Sequence, residues 1–224
     1  MRPAAFVSIG ECMIELSSGD GDLWRMGFAD DTFNTAWYAR AILPAEKRVA
    51  YVTALGDDSF SARMRAFIEE AGVETERIRS MAGRRPGLYA ITLEGAERTF
   101  TYWRSESAAC LLADDEDWLN QALADAELLY FSGITLAILA PQTQDRLLSA
   151  LCERRLAGAK IAFDPNFAPS YGPTSVRRAR RWKRRCGSPT WRFLRSMTRR
   201  GFSGIGAWRK PSNACRGSAS RKSW

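Results

Sequence analysis

The sequence predicts an α/β protein with a parallel sheet and a separate antiparallel hairpin. Over the first 167 residues, short apolar strands alternate with amphipathic helices through short connections, which is the pattern of right-handed βαβ units. Two further strands, joined by a four-residue turn that contains Gly95, interrupt this alternation. We expect them to project from the main sheet. Residues 168–224 show neither the helical nor the strand period of apolar residues.

The predicted strands are short apolar or alternating segments bounded by turn-forming residues. They span residues 5–9, 13–16, 23–27, 49–54, 87–93, 98–104, 128–132 and 161–163. The last of them runs into Asp164, Pro165 and Asn166. Because ligands bind at the carboxyl ends of the strands in an open α/β sheet, this turn is a candidate binding segment.

The predicted helices begin and end at recognisable residues. The first helix ends near residue 43, and the other three span residues 59–71, 114–126 and 141–157. Thr32 or Asn34 is expected to cap the first helix, and Pro44 to end it. Asp58 is interpreted as the cap of the second helix, and Pro141 occupies the first turn of the last.

Three polar side chains of the hairpin have a spacing that suits a small polyhydroxy acid. Tyr89 shares a face with Ile91, and Tyr102 shares a face with Arg104. A guanidinium can hold a carboxylate through two parallel hydrogen bonds, and phenols can donate to hydroxyls. The alternative is that Tyr89 and Tyr102 form a cross-strand aromatic pair that only packs, and spacing alone favours this alternative.

The basic character of the chain is confined to its last quarter. The formal net charge is +8, yet residues 168–224 hold sixteen of the 33 Lys and Arg residues and no Asp or Glu. The first 167 residues therefore hold 17 basic and all 25 acidic residues, a net charge of −8. Nucleic-acid binding is consequently a hypothesis for the tail alone.

Composition excludes several kinds of site. The absence of histidine excludes a Ser-His-Asp triad, a Cys-His pair and a His-ligated metal. The N-terminus has no apolar leader, and no apolar run reaches the length of a membrane span. We therefore expect a soluble, cytoplasmic protein.

Six segments, in order and at compatible spacings, resemble the ribokinase-like (PfkB) carbohydrate kinases. The resemblance covers residues 6–167 and points to the branch that phosphorylates 2-keto-3-deoxygluconate. The segments are GECMIEL at 10–16, TALGDDSFS at 53–61, PGLYAI at 86–91, ERTFTYWR at 97–104, LYFSGITLAIL at 129–139 and FDPN at 163–166.

This resemblance implies a doubly wound α/β sheet with a small β lid, built from strands at about 12–27 and 87–104. The implied reaction transfers the γ-phosphate of ATP to the 6-hydroxyl of 2-keto-3-deoxygluconate, with ATP and Mg²⁺ as cofactors. The implied partners are this sugar acid and, through the lid, a second copy of the chain. Matched to the family's motifs, the implied substrate-binding residues are Asn34, Tyr89, Tyr102, Arg104 and Asn166.

The sequence departs from the family's pattern in three places. The family's paired glycines fall on Ala29 and Asp30, which brings a carboxylate close to the substrate. The arginine that follows Asp-x-Asn in the family falls on Ala168. No Gly-Ala-Gly-Asp segment, which supplies the family's catalytic base and anion hole, follows Asp164. We therefore expect no catalytic residue, and very little turnover, in this chain.

The change of composition at residue 168 is interpreted as a frameshift in the gene, or in its sequence, near residues 169–171. Moved back by one nucleotide, possible codons of residues 171–176 can spell Leu-Trp-Pro-Asp-Val, which suits the family. As it stands, the tail has few Leu, Ile or Val residues and strong same-sign charge, so we expect disorder. The predicted domains are a truncated kinase part at 1–167 and a basic tail at 168–224.

Two alternative functions remain. The first is a kinase of the same family that acts on another sugar, such as fructose or a nucleoside, although Arg104 with the two tyrosines favours an acid. The second is a non-catalytic fragment whose basic tail binds nucleic acid.

Overall fold

The computed structural model describes residues 2–19, 22–94 and 97–166. The predictions for the tail and for Ala168 lie outside these residues. The described strands are β1 (Phe6–Ile9), β2 (Met13–Ser18), β3 (Trp24–Ala29), β4 (Val49–Leu55), β5 (Ile78–Ser80), β6 (Leu88–Glu94), β7 (Glu97–Trp103), β8 (Leu128–Ser132) and β9 (Lys160–Asp164). The described helices are α1 (Asp31–Ile42), α2 (Ser59–Glu70), α3 (Glu116–Ala122), α4 (Gly133–Ala137) and α5 (Pro141–Leu156), with a 3-10 turn at Ala108–Leu111.

The main sheet is parallel, as predicted. Its strands lie in the order β5-β4-β1-β8-β9. Along the chain, β4 and β5 follow on one side of β1, and β8 and β9 then follow on its other side. In such a doubly wound sheet the strand order reverses next to β1, and ligands bind beyond the carboxyl ends of the strands at that point.

The predicted hairpin forms a sheet of its own, and this sheet is larger than the hairpin. Its order is β3-β2-β6-β7, and we call it the lid sheet. β6 and β7 pair antiparallel as predicted, with Tyr89 opposite Tyr102. β2 pairs antiparallel with β3 and parallel with β6, so that Glu15 lies beside Tyr89.

Apolar side chains cover both faces of the main sheet. Alternate residues of β1 point to opposite sides, since Ile9 packs in one cluster and Phe6 in the other. The first cluster joins the sheet to α3, α4 and α5 through Leu119, Leu136, Leu147 and Leu151. The second joins it to α1 and α2 through Phe33, Ala36, Met64 and Ile68. No described helix has the length and apolar character that a membrane crossing requires.

The predicted cap of the first helix was wrong, whereas the second cap is confirmed. The N-cap of α1 is Asp30, whose Oδ1 accepts a hydrogen bond from the backbone N–H of Asp31 at 2.7 Å. Thr32 and Asn34 lie inside the first turn, because the chain enters α1 directly after β3. Asp58 caps α2 as predicted and accepts a hydrogen bond from the backbone N–H of Ser61 at 2.8 Å.

Three short elements were missed, and one helix was predicted too long. β5, α4 and the 3-10 turn have three to five residues, too few to show a period. α3 begins after its N-cap Asp115 and ends at Ala122. Asp125 then adopts a positive φ of 54°, a conformation that a helix does not contain.

Gly133 lets the end of β8 approach the turn after β9. A Cβ at this position would lie 2.1 Å from the carbonyl oxygen of Pro165. We expect Gly133→Ala to lower the free energy of unfolding by about 1–3 kcal/mol, because the backbone of the turn must move. Urea unfolding measures this loss. Gly27→Ala is the control, since its Cβ would meet nothing within 4 Å. Equal effects of the two substitutions would contradict the prediction.

Candidate substrate-binding site

The N-terminus of α1 connects the lid sheet with the carboxyl end of β9. Two adjacent residues make the connection. Asp30 contacts Arg104, the residue that follows β7, and Asp31 contacts Asn166, beyond β9. Asn34 closes the first turn of α1, where its backbone N–H donates to the carbonyl oxygen of Asp30 at 2.8 Å. The fold therefore brings three of the five predicted site residues to one helix end.

The turn that follows β9 is fixed by its own side chains. β8 and β9 end in register at Ser132 and Asp164. The backbone N–H of Asn166 donates to Asp164 Oδ1 at 2.9 Å, and Asn166 has a φ of 36°, which asparagine adopts more readily than most residues. Its Nδ2 donates to Asp31 Oδ2 at 2.5 Å. The amide of Asn166 is thus oriented by Asp31.

Sequence reasoning missed the role of Asp31. Burial raises the pKa of this carboxyl, while hydrogen bonds from Asn166 and Ser132 lower it. An acidic residue in the first turn of a helix is a weak signal that could have drawn attention to it, because helix N-termini favour negative charge. The signal does not identify Asn166 as the partner, which lies 135 residues further along the chain.

Arg104 is held by a buried carboxylate. The side chain of Glu11 is 0% exposed and that of Arg104 is 12% exposed. Arg104 Nε donates to Glu11 Oε2 at 2.8 Å, and Nη2 donates to the same oxygen. Glu11, which the sequence indicated only as a polar group at a strand end, is thus the anchor of Arg104. The guanidinium also lies 5.9 Å from the ring centroid of Tyr102, a cation–π contact.

Asp30 is the second carboxylate beside Arg104. Its Oδ2 lies 3.3 Å from Arg104 Nη2, and its side chain is 12% exposed. Burial raises the pKa of Asp30 to about 7, although the charge of Arg104 opposes the rise. This carboxyl therefore changes its protonation state near neutral pH.

Tyr89 and Tyr102 pack together, and Tyr89 also makes a polar contact. Their ring centroids are 5.8 Å apart, which agrees with the packing alternative. The hydroxyl of Tyr89 donates to Glu15 Oε2. Burial raises the pKa of Tyr89, and the hydrogen bond to Glu15 adds to the rise, so the phenol stays protonated. Tyr102 is 47% exposed and stacks on Phe100. Packing and hydrogen bonding therefore coexist in this pair.

The chain is similar to carbohydrate kinases over most of its length. The family profile described as pfkB family carbohydrate kinase matches residues 5–182. A 2-dehydro-3-deoxygluconokinase from Dickeya dadantii (strain 3937) is 47% identical over 165 residues, which cover 72% of this chain and 53% of that protein. The chain therefore spans about half the length of the curated relatives it matches.

Solved structures share the fold. A PfkB family carbohydrate kinase from Listeria grayi superposes with a TM-score of 0.69 at 21% identity, covering 80% of this chain and 57% of that one. A 2-dehydro-3-deoxygluconokinase from Thermotoga maritima superposes with a TM-score of 0.63 at 22% identity, covering 75% of this chain and 52% of that one. These TM-scores support the architecture of the chain, including the separate lid sheet.

Proposed function

The chain belongs to the pfkB family of carbohydrate kinases, and on that premise we propose that its site binds 2-dehydro-3-deoxygluconate, also called 2-keto-3-deoxygluconate. The reaction of the whole protein would transfer a phosphoryl group from ATP to the 6-hydroxyl of this sugar acid. One observation carries the proposal: the guanidinium of Arg104 stands where the lid sheet meets the N-terminus of α1. The 47% identical relative from Dickeya dadantii bears the name of this activity.

The described residues have distinct roles in this proposal. Arg104 attracts the carboxylate of the sugar acid, because a guanidinium offers several donors in a fixed fork. Tyr102 offers its phenol to the hydroxyls of the sugar, and the phenolic oxygen of Tyr89, whose proton is donated to Glu15, can accept a hydrogen bond from one of them. Asn34 and Asn166 approach the sugar from the helix and from the turn after β9. These five assignments rest on the family's motifs together with the positions described above.

The residues that would hold ATP and Mg²⁺ are not assigned. Within residues 2–19, 22–94 and 97–166, no group of three or more acidic, cysteine or histidine side chains could hold a metal ion. No Gly-Ala-Gly-Asp segment, which supplies the family's catalytic aspartate and anion hole, follows Asp164 in the sequence. We therefore derive no step of phosphoryl transfer, and we propose that this chain binds the sugar acid with very little turnover.

Binding and turnover of the 224-residue chain test this proposal separately. We expect isothermal titration calorimetry at pH 6 to detect binding of 2-keto-3-deoxygluconate and to give a weaker or absent signal with D-fructose. A coupled assay of ADP release is expected to show only trace activity beside the full-length relative from Dickeya dadantii. Preference for fructose would identify a kinase of another sugar. Turnover similar to that of the relative would refute the proposed lack of activity.

A further inference from the structure

Arg104, which we assign to the carboxylate of the substrate, already faces two carboxylates of its own chain. Glu11 receives two N–H groups of the guanidinium and is fully enclosed. Asp30 lies at 3.3 Å from Nη2, a longer contact, and part of its side chain reaches solvent. One positive charge is thus shared between two acidic groups before any ligand arrives.

The two carboxylates differ in how easily a ligand can replace them. Glu11 lies beneath Arg104 with no exposed side-chain surface, so a ligand cannot reach its place. Asp30 stands at the N-terminus of α1, on the side where the lid sheet meets the helix. The family pattern has glycine at this position, and glycine brings no charge. Asp30 is therefore the group with which an incoming anion competes.

We propose that Asp30 is a specificity-determining residue that competes with sugar acids for Arg104, so that a sugar acid binds only to the form of the protein in which Asp30 is protonated. This inference rests on the proposed function of the site. A third negative charge beside a single guanidinium is unfavourable in a place where little solvent screens it. A neutral sugar has no carboxylate to place there, and its binding does not require the proton.

Other charged or titratable groups interact electrostatically with Asp30. These groups are Arg104, Glu11, Asp31, Cys12, Tyr51 and Tyr89. Burial raises the pKa of Cys12, Tyr51 and Tyr89, so these three groups are neutral between pH 6 and 8. Glu11 and Asp31 also have pKa values raised by burial. Only a substitution of Asp30 itself separates its contribution from theirs.

The sign of the expected pH dependence follows from the proton balance. The pKa of Asp30 is about 7 before the ligand binds, so the carboxyl is mostly protonated at pH 6 and mostly ionised at pH 8. An anion beside it raises this pKa further, so binding takes up about one proton at pH 8 and much less at pH 6. The dissociation constant of a sugar acid should therefore increase about tenfold from pH 6 to pH 8.

Calorimetry with 2-keto-3-deoxygluconate and the full 224-residue chain tests the inference. Asp30→Asn keeps the size of the side chain and its ability to cap α1, and removes the charge. We expect its dissociation constant to be equal at pH 6 and pH 8. Asp117→Asn, an exposed change of the same charge on α3, should behave as the unmodified chain does. Circular dichroism establishes that each variant is folded, and Asp30→Gly serves as a second charge-free variant.

The outcomes separate this inference from the function on which it rests. A tenfold pH effect that disappears in both Asp30 variants supports the inference, as does uptake of about one proton at pH 8, measured in buffers of different ionisation enthalpy. Binding of the sugar acid with the same pH dependence in Asp30→Asn as in the unmodified chain overturns the inference and leaves the proposed function intact. Absence of sugar-acid binding in all variants at both pH values overturns both.

Discussion

Replacing Arg104 by alanine is expected to lower the free energy of unfolding by about 3–5 kcal/mol at pH 8. Glu11 loses its cationic partner and both hydrogen bonds from the guanidinium, while its side chain remains 0% exposed. A buried carboxylate without a cationic partner must either stay charged at a high cost or take up a proton. Urea unfolding monitored by tryptophan fluorescence measures the loss.

The loss should depend on pH in a defined direction. Arg104 lowers the pKa of Glu11 against the effect of burial, so its removal raises that pKa further. Protonation then relieves the unpaired charge, and the effect of Arg104→Ala should shrink as the pH falls from 8 to 5.

Arg48→Ala is the matched control, because Arg48 also makes two hydrogen bonds to one carboxylate, Glu74, at a more exposed position. A smaller loss is expected there. Equal losses would show that burial of the Arg104–Glu11 pair does not increase its contribution to the free energy of unfolding.

Replacing Asp30 by asparagine is expected to stabilise the protein at pH 8, by up to about 4 kcal/mol. Folding raises the pKa of Asp30 from 3.8 to about 7, chiefly through burial. Each unit of such a shift corresponds to roughly 1.4 kcal/mol. Between pH 4 and 7 the unfolded chain ionises at this position while the folded chain holds its proton, so stability falls as the pH rises through this window. Above pH 7 the full loss is present.

Asparagine removes this loss and still caps the helix. The advantage of Asp30→Asn should therefore grow from near zero at pH 4 to its full value at pH 8, where the melting temperature rises by roughly 10 °C. Thermal unfolding at pH 4, 6 and 8 measures it, with Asp117→Asn as the exposed control. A stability difference that is the same at all three pH values would contradict the raised pKa of Asp30.

These two substitutions are expected to move stability in opposite directions, although they remove the two partners of one ion pair. Arg104 compensates a carboxylate that cannot leave the interior, whereas Asp30 is a further negative charge beside a guanidinium that is already paired. Asp30 stands where the family's pattern has glycine. Its stability cost and its proposed competition with sugar acids therefore have the same physical origin.

The sequence alone determined the longer strands and the layers of this protein. Apolar segments such as β4, β8 and β9, separated by amphipathic helices, can bury their side chains only in a parallel sheet covered on both faces. The turn between β6 and β7 predicted a hairpin outside that sheet, and the lid sheet confirms it. These features depend on local periodicity and on turn residues, which are properties of neighbouring positions.

Contacts between distant positions were decided only by the tertiary structure. Nothing local to Arg104 indicates that Glu11, 93 residues earlier, is its partner, or that Asp31 orients Asn166. The parallel pairing of β2 with β6 likewise extended the hairpin into a four-stranded sheet. Sequence motifs named Arg104 and Asn166 as site residues. The partners, burial and protonation of these residues depend on which strand ends the topology brings together, because the energy of a buried charge depends on its neighbours in space.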